Sequence, residues 1–276
     1  MKSEDIVEVY KLRFRKIKRH YESLLEDFKA GEIHHFRVEV KKLRAFMRLL
    51  NAGYTAHKLK LPREIKSFYR MAGLLRNLQL YSAYISSLCE ELSIARPLLY
   101  LQSLQEEEKT MQLAMAQVAE NLSWKDFQDE LIDTAPPHLT GKTIKAFVRT
   151  NKAKLEELFS LPVYYEDVLH SIRKILKDLM YNSKYITSAL TVSLPNELRS
   201  LKTIEPLTIG LGDLFDLYGV LNLLNSEKVA AIADSNELAV IEDLKQRVQL
   251  RKDEKKEQVI DSLTPIKEGI VGDMVV

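Results

Sequence analysis

Apolar residues recur every three or four positions along almost the whole chain. In the segment after Gly31, for example, Phe36, Val40, Leu43 and Leu50 share this spacing. The spacing places apolar side chains on one face of an α-helix, whereas no stretch keeps the strict alternation that is typical of half-buried strands. The pattern therefore predicts an all-α protein.

Glycine and proline divide this pattern into long segments, with 9 Gly and 8 Pro in 276 residues. Because proline favours helix starts and is disfavoured in helix interiors, the breaks predict four helices on each side of a linker at 124–140. The predicted helices span 3–29, 33–51, 62–91, 96–122, 142–160, 163–190, 196–224 and 227–256. Residues 261–276 mix Pro, Gly and charged residues and are predicted to form a loosely ordered tail.

Composition narrows the class of protein. The chain is 46% hydrophobic and 29% charged, and no 18 apolar residues run together, so no membrane span is expected. The single Cys89 excludes an intramolecular disulfide and any multi-cysteine metal site. The first residues show no secretory leader pattern. A soluble, cytoplasmic protein is the expectation.

Taken alone, the net charge of +2 argues against a polyanion ligand. The charged residues are, however, unevenly distributed along the chain. Residues 1–80 carry 19 basic and 9 acidic side chains, and residues 81–140 carry 3 and 10. Residues 141–190 again favour basic groups, 9 to 5, and residues 191–276 favour acidic groups, 15 to 10. A basic segment therefore begins each predicted four-helix half.

The basic residues fall into stripes that repeat between the halves. One stripe has the spacing 0, 3, 7, 10, 14, and four of its five positions are basic again 136 residues later, where Met180 breaks the series. The first stripe is His34, Arg37, Lys41, Arg44 and Arg48, and the second is His170, Arg173, Lys177 and Lys184. The apolar stripe on the same helix repeats at the same offset.

The helices before these stripes repeat as well, at an offset of 134, with the residues Lys11, Arg15 and Lys18 followed by Lys145, Arg149 and Lys152. Gly73 and Gly212 correspond at an offset of 139 and, as glycines inside helices, suggest close helix approach.

We interpret the chain as one duplicated domain, 1–260, with repeats at about 1–123 and 141–258. If the halves pack as pseudo-symmetric bundles, the four basic stripes are expected to meet.

A solvated helix face usually alternates acidic and basic residues, yet the first stripe holds no acid. Like charges on one face repel, which implies an anion that offsets the repulsion. Arginine forks and lysine ammonium groups suit a chain of phosphates without reading a base. The residues of all four stripes are therefore the candidate phosphate-binding set, with no catalytic residue, metal ligand or cofactor predicted.

Two segments resemble the hallmark of the conserved histidine α-helical domain (CHAD) family: Ile33-His34-x-x-Arg37-Val38-x-x-Lys41-Lys42-Leu43-Arg44, and Leu169-His170-x-x-Arg173-x-x-x-Lys177. Gly73-Leu74-Leu75-Arg76-Asn77 and Leu211-Gly212-Asp213-Leu214-Phe215-Asp216 resemble the family's elements after each third helix. Asp178 and Met180 stand where the family usually has basic residues, and Phe215 stands where it usually has a polar one.

The resemblance implies two four-helix bundles related by a pseudo-twofold axis. It also implies a basic pocket between them that binds inorganic polyphosphate, and association with polyphosphate granules. The fused triphosphatase domain of some members, marked by an E-x-E-x-K strand motif, is not expected here because the chain has neither the motif nor spare length.

Three other functions fit parts of the pattern. Glu32-x-x-His35 and Asp167-x-x-His170 have the i,i+3 spacing of a di-metal carboxylate enzyme, although the two pairs do not correspond under the duplication. The phosphate-directed stripes also suit other phosphate polyanions, including a nucleic acid. A basic groove could instead take an acidic protein partner.

Overall fold

The chain folds into packed α-helices in the computed structural model, which describes residues 1–53, 58–194 and 196–272. No strand occurs in these three ranges, apart from one isolated β-bridge between Lys2 and His138. The all-α prediction is confirmed.

Four long helices come first, with bounds within a few residues of those predicted: α1 Ser3–Asp27, α2 Ala30–Asn51, α3 Arg63–Leu92 and α4 Leu98–Ala119. Phe28 and Ser93, which follow α1 and α3, both adopt left-handed backbone conformations with φ of 52° and 54°. Such a residue ends a helix by turning the chain away from its axis.

The predicted linker at 124–140 contains a helix of its own, α5 Trp124–Asp133. The Ser123 side chain accepts a hydrogen bond from the Asp126 amide at 3.2 Å and so caps the first turn. Trp124, Phe127 and Leu131 are buried, at a spacing that gives one apolar face. The linker prediction did not include this helix, whose three apolar side chains are buried in the main hydrophobic core.

The second half begins with α6 Gly141–Phe159 and α7 Glu166–Ser193. A short 3-10 turn, Asn196–Leu198, precedes α8 Leu201–Leu224, and the chain ends in α9 Glu227–Ile232 and α10 Ser235–Gly272. The last predicted helix, 227–256, is therefore two helices, divided at Ala233 and Asp234.

The prediction of a loosely ordered tail is wrong for residues 261–272, which continue α10. Leu263, Ile266 and Ile270 are each at most 2% exposed and lie in the main hydrophobic core. Their spacing of three and four residues puts them on one helix face, and burial of that face outweighs the proline at 265. The last four residues of the predicted tail, 273–276, lie outside the described part of the chain.

The centre of the fold is the contact between α2 and α7. Both apolar stripes found in the sequence are buried in the main hydrophobic core: Phe36, Val40, Leu43 and Leu50 on α2, and Ile172, Leu176, Leu179 and Ile186 on α7. At the α2–α7 contact itself, the Phe46 ring lies 5.0 Å from the Tyr185 ring. α1 and α3 flank α2, α6 and α8 flank α7, and α3 also packs against α8. The basic stripes of α2 and α7 are thereby carried to the middle of the molecule.

Two polar contacts hold α2 to α7. The Arg48 guanidinium makes a two-pronged ion pair with the Asp178 carboxylate, in which Nε donates to Oδ2 at 2.6 Å. The fully buried Asn182 donates from Nδ2 to the Ala45 carbonyl at 2.9 Å. Both pairs join residues more than 100 positions apart, so they fix the register of the two helices.

One segment, Leu201–Ile232, is long and apolar enough by composition to cross a membrane, and 33% of its most apolar window is buried in the fold. It consists largely of α8, which packs against α3, α7 and α10.

The helical extension of α10 can be tested through its core contacts. Leu263→Ala should lower the free energy of unfolding by about 2–5 kcal/mol, because it removes a buried side chain from a packed core. Denaturant unfolding of purified protein measures the change. The exposed neighbour Asp261→Ala serves as the control and should change stability by less than about 0.5 kcal/mol. Equal stabilities of the two variants would contradict the packed extension.

Candidate functional site

A cavity of about 670 Å³ lies beside the α2–α7 contact. Five of the long helices line it together with one residue of the turn after α8. The lining residues are Arg37 and Lys41 of α2; Leu74, Asn77, Leu78 and Tyr81 of α3; Glu107 and Met111 of α4; Glu166, His170 and Arg173 of α7; Gly212, Phe215, Asp216, Tyr218, Gly219, Asn222 and Leu223 of α8; and Ser226.

Four cations of the α2 and α7 stripes converge at this cavity or next to it. Arg37, Lys41 and Arg173 line it, and Lys177 lies one turn further along α7. Lys41 interacts electrostatically with the other three. Within the described part of the chain, no carboxylate comes within ion-pair distance of any of these four, which we call the central cations.

Burial and mutual repulsion act on the protonation of this cluster. Burial first, and then the charges of Arg37, Arg173 and Lys177, lower the pKa of Lys41 from 10.5 to about 7. Burial and Arg173 also lower the pKa of Lys177. A negative charge placed among these groups would offset their mutual repulsion and favour the charged form of both lysines.

Glycines give the two arginines room to reach the cavity. A Cβ atom on Gly73 would lie 2.2 Å from an Arg37 terminal nitrogen, and one on Gly212 would lie 3.2 Å from Arg173 Nη2. Arg37 donates to the Tyr69 carbonyl at 2.8 Å. The sequence prediction of close helix approach at these glycines is therefore refined, because the group that approaches is an arginine side chain.

The two repeated histidines, His34 and His170, lie beside the central cations and are partly exposed to solvent. Partial desolvation and then the neighbouring charge of Arg76 lower the pKa of His34, while desolvation and Arg173 lower that of His170. His170 lines the cavity, and its ring meets Phe215 edge to face at 5.1 Å. Desolvation and the neighbouring cations therefore favour the neutral form of both imidazoles, which donates a single ring N–H.

The outer members of the two stripes have other contacts. Arg44 lies over the Tyr69 ring at 5.4 Å, and Lys184 lies over the Tyr185 ring at 4.6 Å. Arg48 is held by Asp178. Asp178, which stands where the family usually has a basic residue, is thus paired with a cation of the opposite helix.

The structure does not bring the first-helix stripes to the cavity, contrary to the expectation that four stripes meet there. Most of these residues lie on exposed faces of α1 and α6, and some pair within their own helix: Lys11 with Glu8 at 3.1 Å, Lys18 with Glu22 at 3.6 Å and Lys152 with Glu156 at 3.7 Å. Arg15, Lys145 and Arg149 are exposed. The apolar faces of α1 and α6 turn inward, which directs these cations outward.

Sequence reasoning missed several residues at the cavity. Arg76 acts electrostatically on His34 and Arg37, and Asn77, Tyr81 and Asp216 line the walls. Burial raises the pKa of the Asp216 carboxyl, and burial with Asp216 nearby raises that of Tyr81 to about 12. Arg76, Asn77 and Asp216 belong to the two glycine-containing segments, so the spacing from Gly73 and Gly212 was the available signal.

The proposed di-metal pairs have other partners. Glu32 accepts from His20 Nδ1 at 2.8 Å, and His20 stacks on His35. Asp167 accepts from the Val168 amide at 2.9 Å. In the ranges that the structure describes, no group of three or more His, Cys, Asp or Glu residues could hold a metal ion.

Comparison with curated proteins gives no match for this chain. The sequence profile of the CHAD domain matches residues 8–224, from the second turn of α1 to the last residue of α8. The match includes both glycine-containing segments and every central cation. With more than three-quarters of its length matched, the chain belongs to the CHAD domain family.

Proposed function

We propose that this protein binds inorganic polyphosphate, or a related phosphate polyanion, at the central cations Arg37, Lys41, Arg173 and Lys177. The observation that carries the proposal is the convergence of these four cations, none of which has an ion-pair partner in the described part of the chain, although the nearby Asp216 carboxylate acts on Lys41 electrostatically. Burial first, and then the charges of Arg37, Arg173 and Lys177, lower the pKa of Lys41 to about 7. Arginine forks and a lysine point charge suit phosphate oxygens. CHAD domains are associated in general with polyphosphate and similar polyanions.

We further infer that the cavity lies between two duplicated four-helix halves related by a pseudo-twofold axis. The supporting observation is that each half supplies an arginine backed by a glycine of its third helix: Arg37 with Gly73, and Arg173 with Gly212. The pairs correspond at the offsets of 136 and 139 found in the sequence. On this inference α10 is the fourth helix of the second half, and α5 is an addition between the halves.

The proposed role is retention of the polyanion without chemistry on it. This agrees with the CHAD family, whose members are generally binding domains rather than enzymes. We propose that the protein acts in the cytoplasm, including on polyphosphate granules.

Charge reversal tests the site. The double variant Arg37→Glu/Arg173→Glu should weaken binding of short-chain polyphosphate by more than about 100-fold, because two phosphate contacts become repulsive. Calorimetric titration measures the affinity, and circular dichroism should show unchanged helicity. For the unmodified protein, affinity should also fall steeply with salt as counterions are released.

A matched control separates the cavity from the overall charge. Arg15→Glu/Arg149→Glu makes the same change in net charge on exposed helix faces and should alter the affinity by less than about fivefold, since the added charges are screened by salt. An equal loss in both double variants would show that the cavity is not the site.

Lys41 should take up a proton when the polyanion binds. With a pKa of about 7 the amine is mostly neutral at pH 8, and a bound anion raises its pKa, so up to about 0.9 proton should be absorbed per ligand at that pH. Titrations in buffers with different ionisation enthalpies measure the uptake. In Lys41→Met the uptake should disappear, and its persistence would assign the proton to another group.

Gly73→Ala should separate stability from binding. The new Cβ displaces the Arg37 guanidinium, so affinity for polyphosphate should fall by about tenfold. Stability should change by less than about 1 kcal/mol, because alanine favours the helix while the Arg37–Tyr69 hydrogen bond is lost. Gly210→Ala on α8, where a Cβ would meet only ordinary contact with Val259 at 3.6 Å, is the control and should keep full affinity.

A further inference from the structure

The chemistry of the cavity changes along its length. Its wall on α8 runs from Gly212 to Leu223 and continues to Ser226 in the following turn. At a rise of 1.5 Å per residue, the helical part alone spans about 16 Å. A cavity of this length is long enough for its two ends to contact different parts of one ligand.

Cations occupy the end near Gly212. The Arg173 guanidinium lies against that glycine, and Lys41 interacts with Arg173 across the α2–α7 contact. Arg37 lines the same cavity from α2. These three side chains are the only lysines and arginines among its described lining residues.

Aromatic rings form the next part of the wall. Phe215 lies one turn beyond Gly212, with its ring centroid 5.1 Å from that of His170 and 6.0 Å from that of Tyr218. Lys252 of α10 lies over the Tyr218 ring at 5.4 Å and thereby helps to hold it in place. We call His170, Phe215 and Tyr218 the aromatic wall.

The rest of the cavity wall consists of hydrogen-bonding groups that carry no positive charge. Asn222 and Ser226 continue the α8 side, and the Glu107 carboxylate is paired with Lys228 at 2.8 Å. Glu166, which lines the cavity, interacts electrostatically with both His170 and Tyr218. A chain of phosphates would gain nothing here and would be repelled by Glu166, whereas hydroxyl or amino groups could donate to that carboxylate.

We propose that the cavity binds a nucleoside polyphosphate in preference to an inorganic polyphosphate of equal charge. The phosphates contact Arg37, Lys41 and Arg173, the base packs against the aromatic wall, and Glu166 accepts a hydrogen bond from the nucleoside. The volume of about 670 Å³ falls within the range of about 300–1,000 Å³ usual for small-molecule sites. The inference rests on the proposed phosphate-binding function and specifies the ligand of that same site.

Calorimetric titration with ATP and with inorganic tripolyphosphate, both without divalent metal at pH 7.5, tests the preference. ATP carries no more negative charge than tripolyphosphate, so tighter binding of ATP cannot come from charge alone. We expect ATP to bind at least about fivefold more tightly, because base–aromatic stacking adds to the phosphate contacts. GTP and UTP should also exceed tripolyphosphate, since stacking tolerates any base.

Two variants identify the groups responsible. Phe215→Leu keeps an apolar side chain but removes the ring, so it should remove most of the preference for ATP while leaving tripolyphosphate affinity within about twofold. Glu166→Ala should weaken ATP and leave tripolyphosphate equal or tighter, because it removes an acceptor and a repulsive charge together. Opposite changes for the two ligands would not result from a general loss of structure.

The control variant is Tyr165→Leu, which removes a 65% exposed aromatic ring that does not line the cavity, and both affinities should stay unchanged. If tripolyphosphate binds through the central cations but ATP binds no more tightly, the nucleoside inference is overturned and the proposed function stands. If Arg37→Glu/Arg173→Glu leaves tripolyphosphate binding intact, the proposed function itself fails.

Discussion

Repulsion among the central cations is the constraint on which the rest of this structure depends. Two helices that carry Arg37 and Lys41 on one side, and Arg173 and Lys177 on the other, would separate if nothing else held them. Burial, together with the charges of Arg37, Arg173 and Lys177, lowers the pKa of Lys41 to about 7, so protonating this lysine within the cluster is unfavourable. Contacts between the same two helices oppose this repulsion, since the Phe46 ring packs against the Tyr185 ring at 5.0 Å and the buried Asn182 donates to the Ala45 carbonyl.

The Arg48–Asp178 ion pair shows how the fold manages this repulsion. It lies on the same two helices and joins them directly, so one arginine of the α2 stripe is neutralised, while Arg37 and Arg44 contact the uncharged Tyr69 and keep their charge. Its geometry is two-pronged, which fixes the helix register as well as the charge. An acid at position 178 therefore stabilises the contact that creates the site, at the expense of one potential phosphate contact at Arg48.

Periodicity in the sequence was enough to predict the long helices and the basic stripes of α2 and α7, because both depend on local spacing. Periodicity alone could not predict which helix faces pack against each other. The stripes that begin at Lys11 and Lys145 are spaced as regularly as those on α2 and α7, yet their cations point away from the cavity. The helix at Trp124–Asp133 and the last turns of α10 were missed for a related reason, since each is stabilised by burial against helices distant in sequence. Phe215 was read as a departure from a family pattern, and its place in the aromatic wall depends on the packing of α7 against α8.

The near-zero net charge is compatible with an anion site, because only charges close to a bound anion act on it strongly. At physiological ionic strength the Debye length is about 8 Å, so a bound phosphate responds mainly to charges within the cavity. The acidic segments 81–140 and 191–276 cancel the basic ones in the total. Two of their carboxylates, Glu107 and Asp216, line the cavity, and Glu107 is paired with Lys228 at 2.8 Å. A protein of low overall charge attracts polyanions weakly at long range, and selectivity then depends on the fit between one ligand and one cluster. If the cavity binds phosphate as proposed, the local concentration of cations within a balanced total charge favours a specific phosphate ligand over indiscriminate binding to nucleic acid.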